Sequence, residues 1–284
     1  MTEQPHILLV DPAHFDVSYV INPWMNPGAW AADPAGQAAH ARAGFAALCG
    51  ALEAAGARVD IIPGVAGLPD MVFPANAAVV LNRRALVARF ARPERQGEEA
   101  AYMAALQDFA ARGVLDEVAI FPDSCFQEGA GDAIWDATRQ LFWAGYGQRS
   151  ILAATDHLAA FFGQRLVRLE LATDRFYHLD TCFCPLSGGE VLLYPPAFTP
   201  DSLARIHAEV PPGLRLEASA EDAAAFCVNA VNLGRTVVMA RAPTHVRELL
   251  EARGYQVVDV DLDPFILSGG GAYCMTLRLD RKSL

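Results

Sequence analysis

The 284-residue chain has six cysteines (Cys49, Cys125, Cys182, Cys184, Cys227 and Cys274) but no CxxC pair among them. At this size such spacing speaks against a disulfide framework and for free thiols in a cytoplasmic protein. No apolar run approaches the roughly 18–20 residues needed to cross a bilayer, so no membrane partner is expected. The opening MTEQPHILLV has neither a basic n-region nor a long apolar h-region, and no secretory signal is read there. Positive charge is scarce as well. Against 33 Asp and Glu stand 22 Lys and Arg, a net charge of −11. That balance argues against nucleic-acid binding and suits a cationic small molecule or none at all. Apolar residues make up 53% and charged ones 19%, a composition that folds rather than staying disordered.

Strand-like and helix-like runs alternate. HILLV reads as a first strand, Gly36 to Gly56 as an Ala-rich helix, and ARVDII as the strand after it. GEEAAYMAALQDFAARG followed by VLDEVAIF repeats the form. TDHLAAFFG before QRLVRLEL and THVRELLEARG before YQVVDVDL do so again, each opening on a Thr that reads as an N-cap and stopping at Gly. Between these pairs recurs a polar residue set in an apolar stretch: Asn76, Asp132, Asp180, Asn229 and Cys274, with gaps of 56, 48, 49 and 45 residues. A loose period near 50 over five units is a repeat signature that would occupy residues 1–284 as one domain. An ordinary α/β protein with coincidental spacing is the plainer alternative. If the repeat is real, the units circle an axis and their polar residues converge on one central pocket.

FYHLDTCFCPL carries the densest chemistry. Read as a strand, it places His178, Asp180, Cys182 and Cys184 on one face, an acid/base beside a carboxylate. A zinc site from these four has poor geometry on one short strand, and no metal is expected. QEGAGDA supplies Glu128 and Asp132 around glycines, either facing a cation or forming a solvated turn. Asn76, if buried, needs hydrogen-bond partners or a ligand. Among the cysteines, only Cys274 follows a run of three glycines, whose N–H groups could stabilise a thiolate and whose missing side chains admit a substrate. It is the expected nucleophile, while Cys182 is left open as a pocket residue.

In this order NPWM, LPDMVFPANAAVV, RPERQGEE, QEGAGDA, AGYGQRS, YHLDTCFCPL and GGGAYCMTL resemble the guanidino-group-modifying enzymes: arginine deiminases, dimethylarginine dimethylaminohydrolases, arginine dihydrolases and amidinotransferases. The resemblance covers essentially the whole chain and implies the pentein fold, a five-bladed α/β propeller of ββαβ units. It implies that Cys274 attacks a guanidinium carbon to form a covalent thiouronium intermediate, and that His178 protonates the departing amine and then activates water. Asp180 and Glu128 would hold the guanidinium, and Arg149 would clamp a substrate carboxylate with Arg95 as a second clamp; a surface ion pair with Glu98 or Glu99 is the plainer reading of Arg95. No cofactor is implied, and a homo-oligomer is left open.

Two departures from the family pattern stand out. Asn76 occupies a position where deiminases and dimethylarginine enzymes usually carry aspartate, and Ala75 one where the latter often have glutamate. The neutral Asn76, together with Asn22, resembles the arginine dihydrolase branch, which continues past citrulline to ornithine. EGAGD is one residue longer than the EGGD of deiminases, which leaves the role of Asp132 unassigned. The expected function is therefore a cysteine hydrolase of arginine-type guanidines, dihydrolase-like. A dimethylargininase or deiminase giving citrulline is the alternative, then an amidinotransferase, and outside enzymes a pentein-fold binding protein.

Overall fold

The strand-like runs are short and apolar on both sides of the pleat, and a computed structural model, which describes residues 4–284, accounts for this. Among the described residues, fifteen strands form five three-stranded sheets. Four are continuous in sequence: Ala78–Leu81, Arg84–Val87 and Glu117–Ile120; Ala133–Asp136, Leu141–Tyr146 and Arg165–Glu170; Phe183–Pro185, Val191–Leu193 and Arg215–Glu217; Val231–Leu233, Thr236–Met239 and Gln256–Asp259. In each, the first two strands form an antiparallel hairpin and the middle strand runs parallel to the third. A parallel pair needs a crossover, and a helix supplies it in every case, such as Glu98–Ala111 or Ala154–Phe162. The remaining sheet joins distant segments. Leu277–Arg278 pairs antiparallel with His6–Val10, which runs parallel to Arg58–Ile62.

Five apolar clusters lie between successive sheets and close the ring. Leu8 and Val10 pack with Val80 and Val87, while Ile7 and Leu9 on the opposite face pack with Leu233 and Val238. Val79 and Leu86 meet Trp135 and Phe142; Trp143 meets Phe183 and Val191; Leu192 and Leu216 meet Val237 and Met239. Each sheet is thus buried on both faces, which is why its strands read as unbroken apolar runs rather than as alternating ones. This is the five-bladed α/β propeller that the five-unit spacing anticipated.

Several local expectations need correction. The Ala-rich helix runs Pro34–Ala54 and starts two residues earlier than read, because the Asp33 side chain accepts from the Gly36 amide and Pro34 suits the first turn. Thr155 and Thr244 are not caps. They lie inside helices Ala154–Phe162 and Thr244–Glu251, neither of which has a side-chain cap. Gly163, at φ +65°, does end its helix in the left-handed conformation. The segment from His178 to Cys184 is not one strand. Leu179–Thr181 form a 3₁₀ turn and the strand begins only at Phe183, so alternation fails there. Cys182 consequently faces the Leu179 carbonyl within an apolar cluster, and Cys184 faces the Ala230 carbonyl in another.

Candidate active site

The first strand of each unit is preceded by a tight turn, and the turns converge. Pro74–Asn76, Gly129–Gly131 and Leu179–Thr181 are such turns, and Asn76, Asp132, Asp180, Asn229 and Cys274 are all buried. The polar residue that marks each unit in the sequence is therefore the residue its turn delivers to the centre.

The Cys274 sulfur lies 3.2 Å from Asp180 Oδ2 and 3.1 Å from Asn229 Nδ2. Asn229 Oδ1 in turn accepts from the backbone N–H groups of Cys274 and Tyr273, at 3.2 and 3.0 Å, so one amide fixes both the sulfur and its peptide. Burial first, then the Asp180 charge, pushes the thiol well above its usual range; the Gly271 backbone and Asn229 pull the other way and do not prevail. The sulfur that the glycine N–H groups could have held as a thiolate is thus a neutral thiol that donates to Asp180. Burial also pushes the Asp180 carboxyl up to about 7. Asp180 Oδ1 is buried with no hydrogen-bond partner among the described residues.

The glycine run serves packing. A Cβ on Gly270 would sit 2.2 Å from the Phe73 ring, and one on Gly269 would meet Asn22 and the Tyr177 hydroxyl. Gly269 also has φ +86°, which other residues rarely adopt.

His178 Nε2 lies 2.7 Å from Glu128 Oε2, and a carboxylate only accepts, which places the ring proton on Nε2 and leaves Nδ1 as the basic atom. Glu128 is fully buried, yet Arg149 at 3.1 Å and the His178 bond hold it well below the usual carboxylate range against the cost of burial. Its other oxygen accepts from the Ala91 amide at 3.2 Å. Glu128 is therefore filled by protein donors, whereas Asp180 keeps an open oxygen.

Asn76 bridges the two halves. Its Oδ1 accepts from Arg95 Nη1 at 2.8 Å, and its Nδ2 faces the Glu128 carbonyl at 3.3 Å and His178 Nδ1 at 3.4 Å. Arg95 is not on the surface. It is buried in a bidentate fork on Glu98, at 2.8 Å for both bonds, with its guanidinium over the Phe90 ring. Glu98 holds its pKa well above the usual arginine value. The fork expected for a substrate carboxylate is occupied by Glu98, and Arg95 orients Asn76 instead.

Asp132 does not reach the sulfur. Its oxygens accept from Ser150 Oγ at 2.6 Å and the Leu179 amide at 2.9 Å, and Ser150 Oγ accepts from the Glu128 amide. It thus ties the Glu128 turn to the His178 loop. Asn22 donates to the Ser268 carbonyl at 3.0 Å and braces the glycine run. Arg149 donates to the Ile21 carbonyl and, with Asn22, Tyr177 and Arg92, lines a cavity of ≈310 Å³. Asn229, Ser150, Tyr177, Arg92 and the buried Asp70, which accepts from Ser268 Oγ and the Tyr19 hydroxyl, went unassigned in the sequence. Only Asn229 carried a signal there, as a unit marker.

Comparison with known proteins places this geometry. A family model described as N,N dimethylarginine dimethylhydrolase, eukaryotic, matches residues 29–281. The bifunctional arginine dihydrolase/ornithine cyclodeaminase ArgZ of Synechocystis sp. is 38% identical over all of this chain, and the chain spans 39% of that protein's length. The N(G),N(G)-dimethylarginine dimethylaminohydrolase of Mycobacterium tuberculosis is 36% identical over 95% of this chain and 84% of its own. Among solved structures, the N-terminal domain of ArgZ bound to product superposes with a TM-score of 0.92 at 37% identity, covering 99% of this chain and 100% of that one. The same domain covalently bonded to a reaction intermediate gives 0.91 at 37% identity, covering 99% of each chain.

Proposed function

Because the chain belongs to the N,N-dimethylarginine dimethylhydrolase family of guanidino-modifying enzymes, we propose that it hydrolyses the guanidino group of arginine past citrulline to ornithine, ammonia and carbon dioxide. The observation that carries the reading is the unpartnered Asp180 Oδ1 on the carboxylate that touches the nucleophilic sulfur. A buried carboxylate oxygen without a donor is costly, and a guanidinium N–H would satisfy it.

The guanidinium charge offsets Asp180 and removes one of the two causes that keep the Cys274 thiol protonated. Sulfur then attacks the guanidinium carbon, and the thiol proton, carried by His178, goes to the departing amine, so that ammonia leaves as its C–N bond breaks. His178, oriented by Glu128, next takes a proton from water. The hydroxide adds to the thiouronium carbon, the C–S bond breaks, and citrulline and the thiol result. Orientation over the sulfur supplies several kcal/mol, roughly, of the barrier reduction.

Asn76 favours a second round. Arg95 can only donate, so it takes Asn76 Oδ1 and turns the Nδ2 group toward His178. An aspartate there would present a negative oxygen; the amide presents a donor suited to the neutral ureido oxygen of citrulline. Sulfur attack on that carbon expels a second ammonia, and a second water releases ornithine carbamate, which loses carbon dioxide. Arg149, with Arg92 at the cavity mouth, is the partner proposed for the substrate carboxylate. Separate incubations with arginine, dimethylarginine and citrulline test the reading, with ornithine and ammonia expected from the first and third. Citrulline accumulating as the sole product would overturn it in favour of a dimethylargininase or deiminase.

A further inference from the structure

The first strand of each unit starts at an active-site turn and runs away from it, so the far ends of these strands meet at the other end of the central axis. A cavity of ≈500 Å³ opens there, with Trp135, Asp136, Ser187, Asn232, Tyr273 and Arg281 in its walls. A narrower one beside it shares Trp135, Tyr273 and Arg281.

The charges of this end do not cancel. Asp136 is taken by Arg139 at 2.8 Å and by the Trp143 indole at 3.0 Å, and Arg278 forks Asp280 at 2.7 and 2.5 Å. Arg281 is left over: among the described residues its guanidinium forms no hydrogen bond or ion pair. Burial, with Arg278 nearby, pulls it down to about 10. Trp135 is buried, and its indole N–H has no partner either. Both groups are donors, both line the same cavities, and a guanidinium with no counter-charge in a half-buried wall is costly.

We propose that this cavity binds a small organic carboxylate, held by the Arg281 fork with the Trp135 indole N–H as a further donor. One unpaired cation beside two closed ion pairs matches a monoanion. A phosphate dianion would leave a negative charge uncompensated near Asp136 and Asp280. The aromatic walls of Trp135, Phe183 and Tyr273 suit an apolar body behind the carboxylate. This site stands apart from the catalytic one and is linked to it by Tyr273, whose amide shares Asn229 Oδ1 with Cys274.

Benzoate, which carries no guanidino or amino group, is a suitable probe. Titrating it into ¹⁵N-labelled protein should move the Trp135 indole resonance, assigned by its loss in Trp135→Phe, with a saturable downfield shift. Sodium chloride at equal ionic strength should not move it, and inorganic phosphate should bind more weakly. Arg281→Met should weaken the benzoate response at least tenfold, and Arg281→Lys, which keeps the charge but loses the fork, several-fold. Without ligand, Arg281→Met should melt no lower than the parent protein. A Trp135 resonance indifferent to benzoate, or equally responsive in Arg281→Met, would overturn the proposal. So would loss of folding on removing Arg281, since that would reveal a structural partner for it.

Discussion

Replacing Asp180 by asparagine should make Cys274 more reactive while destroying turnover. Sulfur and carboxylate oxygen are 3.2 Å apart, and burial and this neighbouring charge are the two main causes of the raised thiol. Two unit charges at that separation repel by about 5 kcal/mol at an effective dielectric of about 20, or roughly 3–4 pK units. The realised gain is smaller, because Asp180 itself titrates at about 7 and is partly neutral below that pH. At pH 8 the charge is mostly present, so a rise of about tenfold or more in the alkylation rate by iodoacetamide is expected, following the thiolate fraction. The rate is to be followed by mass spectrometry on the Cys274 peptide, since five other cysteines are present. Over the same substitution kcat/KM for arginine should fall by about 10³-fold or more, because the guanidinium loses its carboxylate and its orientation. An Asp180→Asn enzyme whose thiol alkylates no faster at pH 8 would refute the electrostatic account of the resting thiol. Retained turnover would refute the assignment of Asp180 as the guanidinium partner.

Asn229→Ala strips one amide that serves Cys274 Sγ and two backbone N–H groups, leaving buried donors unmet; a loss of about 2–4 kcal/mol by urea denaturation is expected, with a lower kcat. Gly270→Ala places a methyl 2.2 Å from the rigid Phe73 ring and should cost about 1–3 kcal/mol, whereas Gly50→Ala, whose added Cβ meets nothing within 4 Å, should be neutral or stabilising in its helix. Stability of the free protein should fall as pH rises from 5 to 8. The folded pKa values of Asp132 and Asp180, about 6 and about 7, lie above their unfolded values, so the folded state holds more protons and its advantage is lost as pH passes through them. Glu128 has the opposite sign, but its contribution is lost only as pH falls below the unfolded carboxylate value, outside that window. A urea midpoint that is flat or rising between pH 5 and 8 would contradict this.

The parts of the site that were legible in the sequence are those where one residue type is out of place locally. Asn76, Asp132, Asp180, Asn229 and Cys274 interrupt apolar stretches at a spacing near one unit length, and the ring of sheets turns that spacing into convergence. The illegible parts depend on which atoms meet across the ring. Asn229 and Cys274 are 45 residues apart and Asp180 and Cys274 94, so no local pattern reports that an amide grips the thiol or that a carboxylate keeps it protonated. Period-two reasoning failed at His178–Cys184 because a 3₁₀ turn resets the phase before the strand starts, yet His178 and Asp180 still reach the centre, since the turn itself projects them there.

Arg95 shows the same limit at Asn76, the residue to which we assign the choice between one hydrolysis and two. The sequence offers an arginine and an asparagine 19 residues apart, and neither reading of the arginine, a clamp on substrate or an ion pair with Glu98 or Glu99, connects it to the asparagine. With Glu98 filling the fork, the remaining Nη1 donor fixes which end of the Asn76 amide can face His178. Asparagine supplies both a donor and an acceptor, and an arginine cannot accept. The buried Arg95–Glu98 pair therefore selects the N–H face, and through it gives the site a donor for a neutral oxygen where a second carboxylate would have suited only a cation.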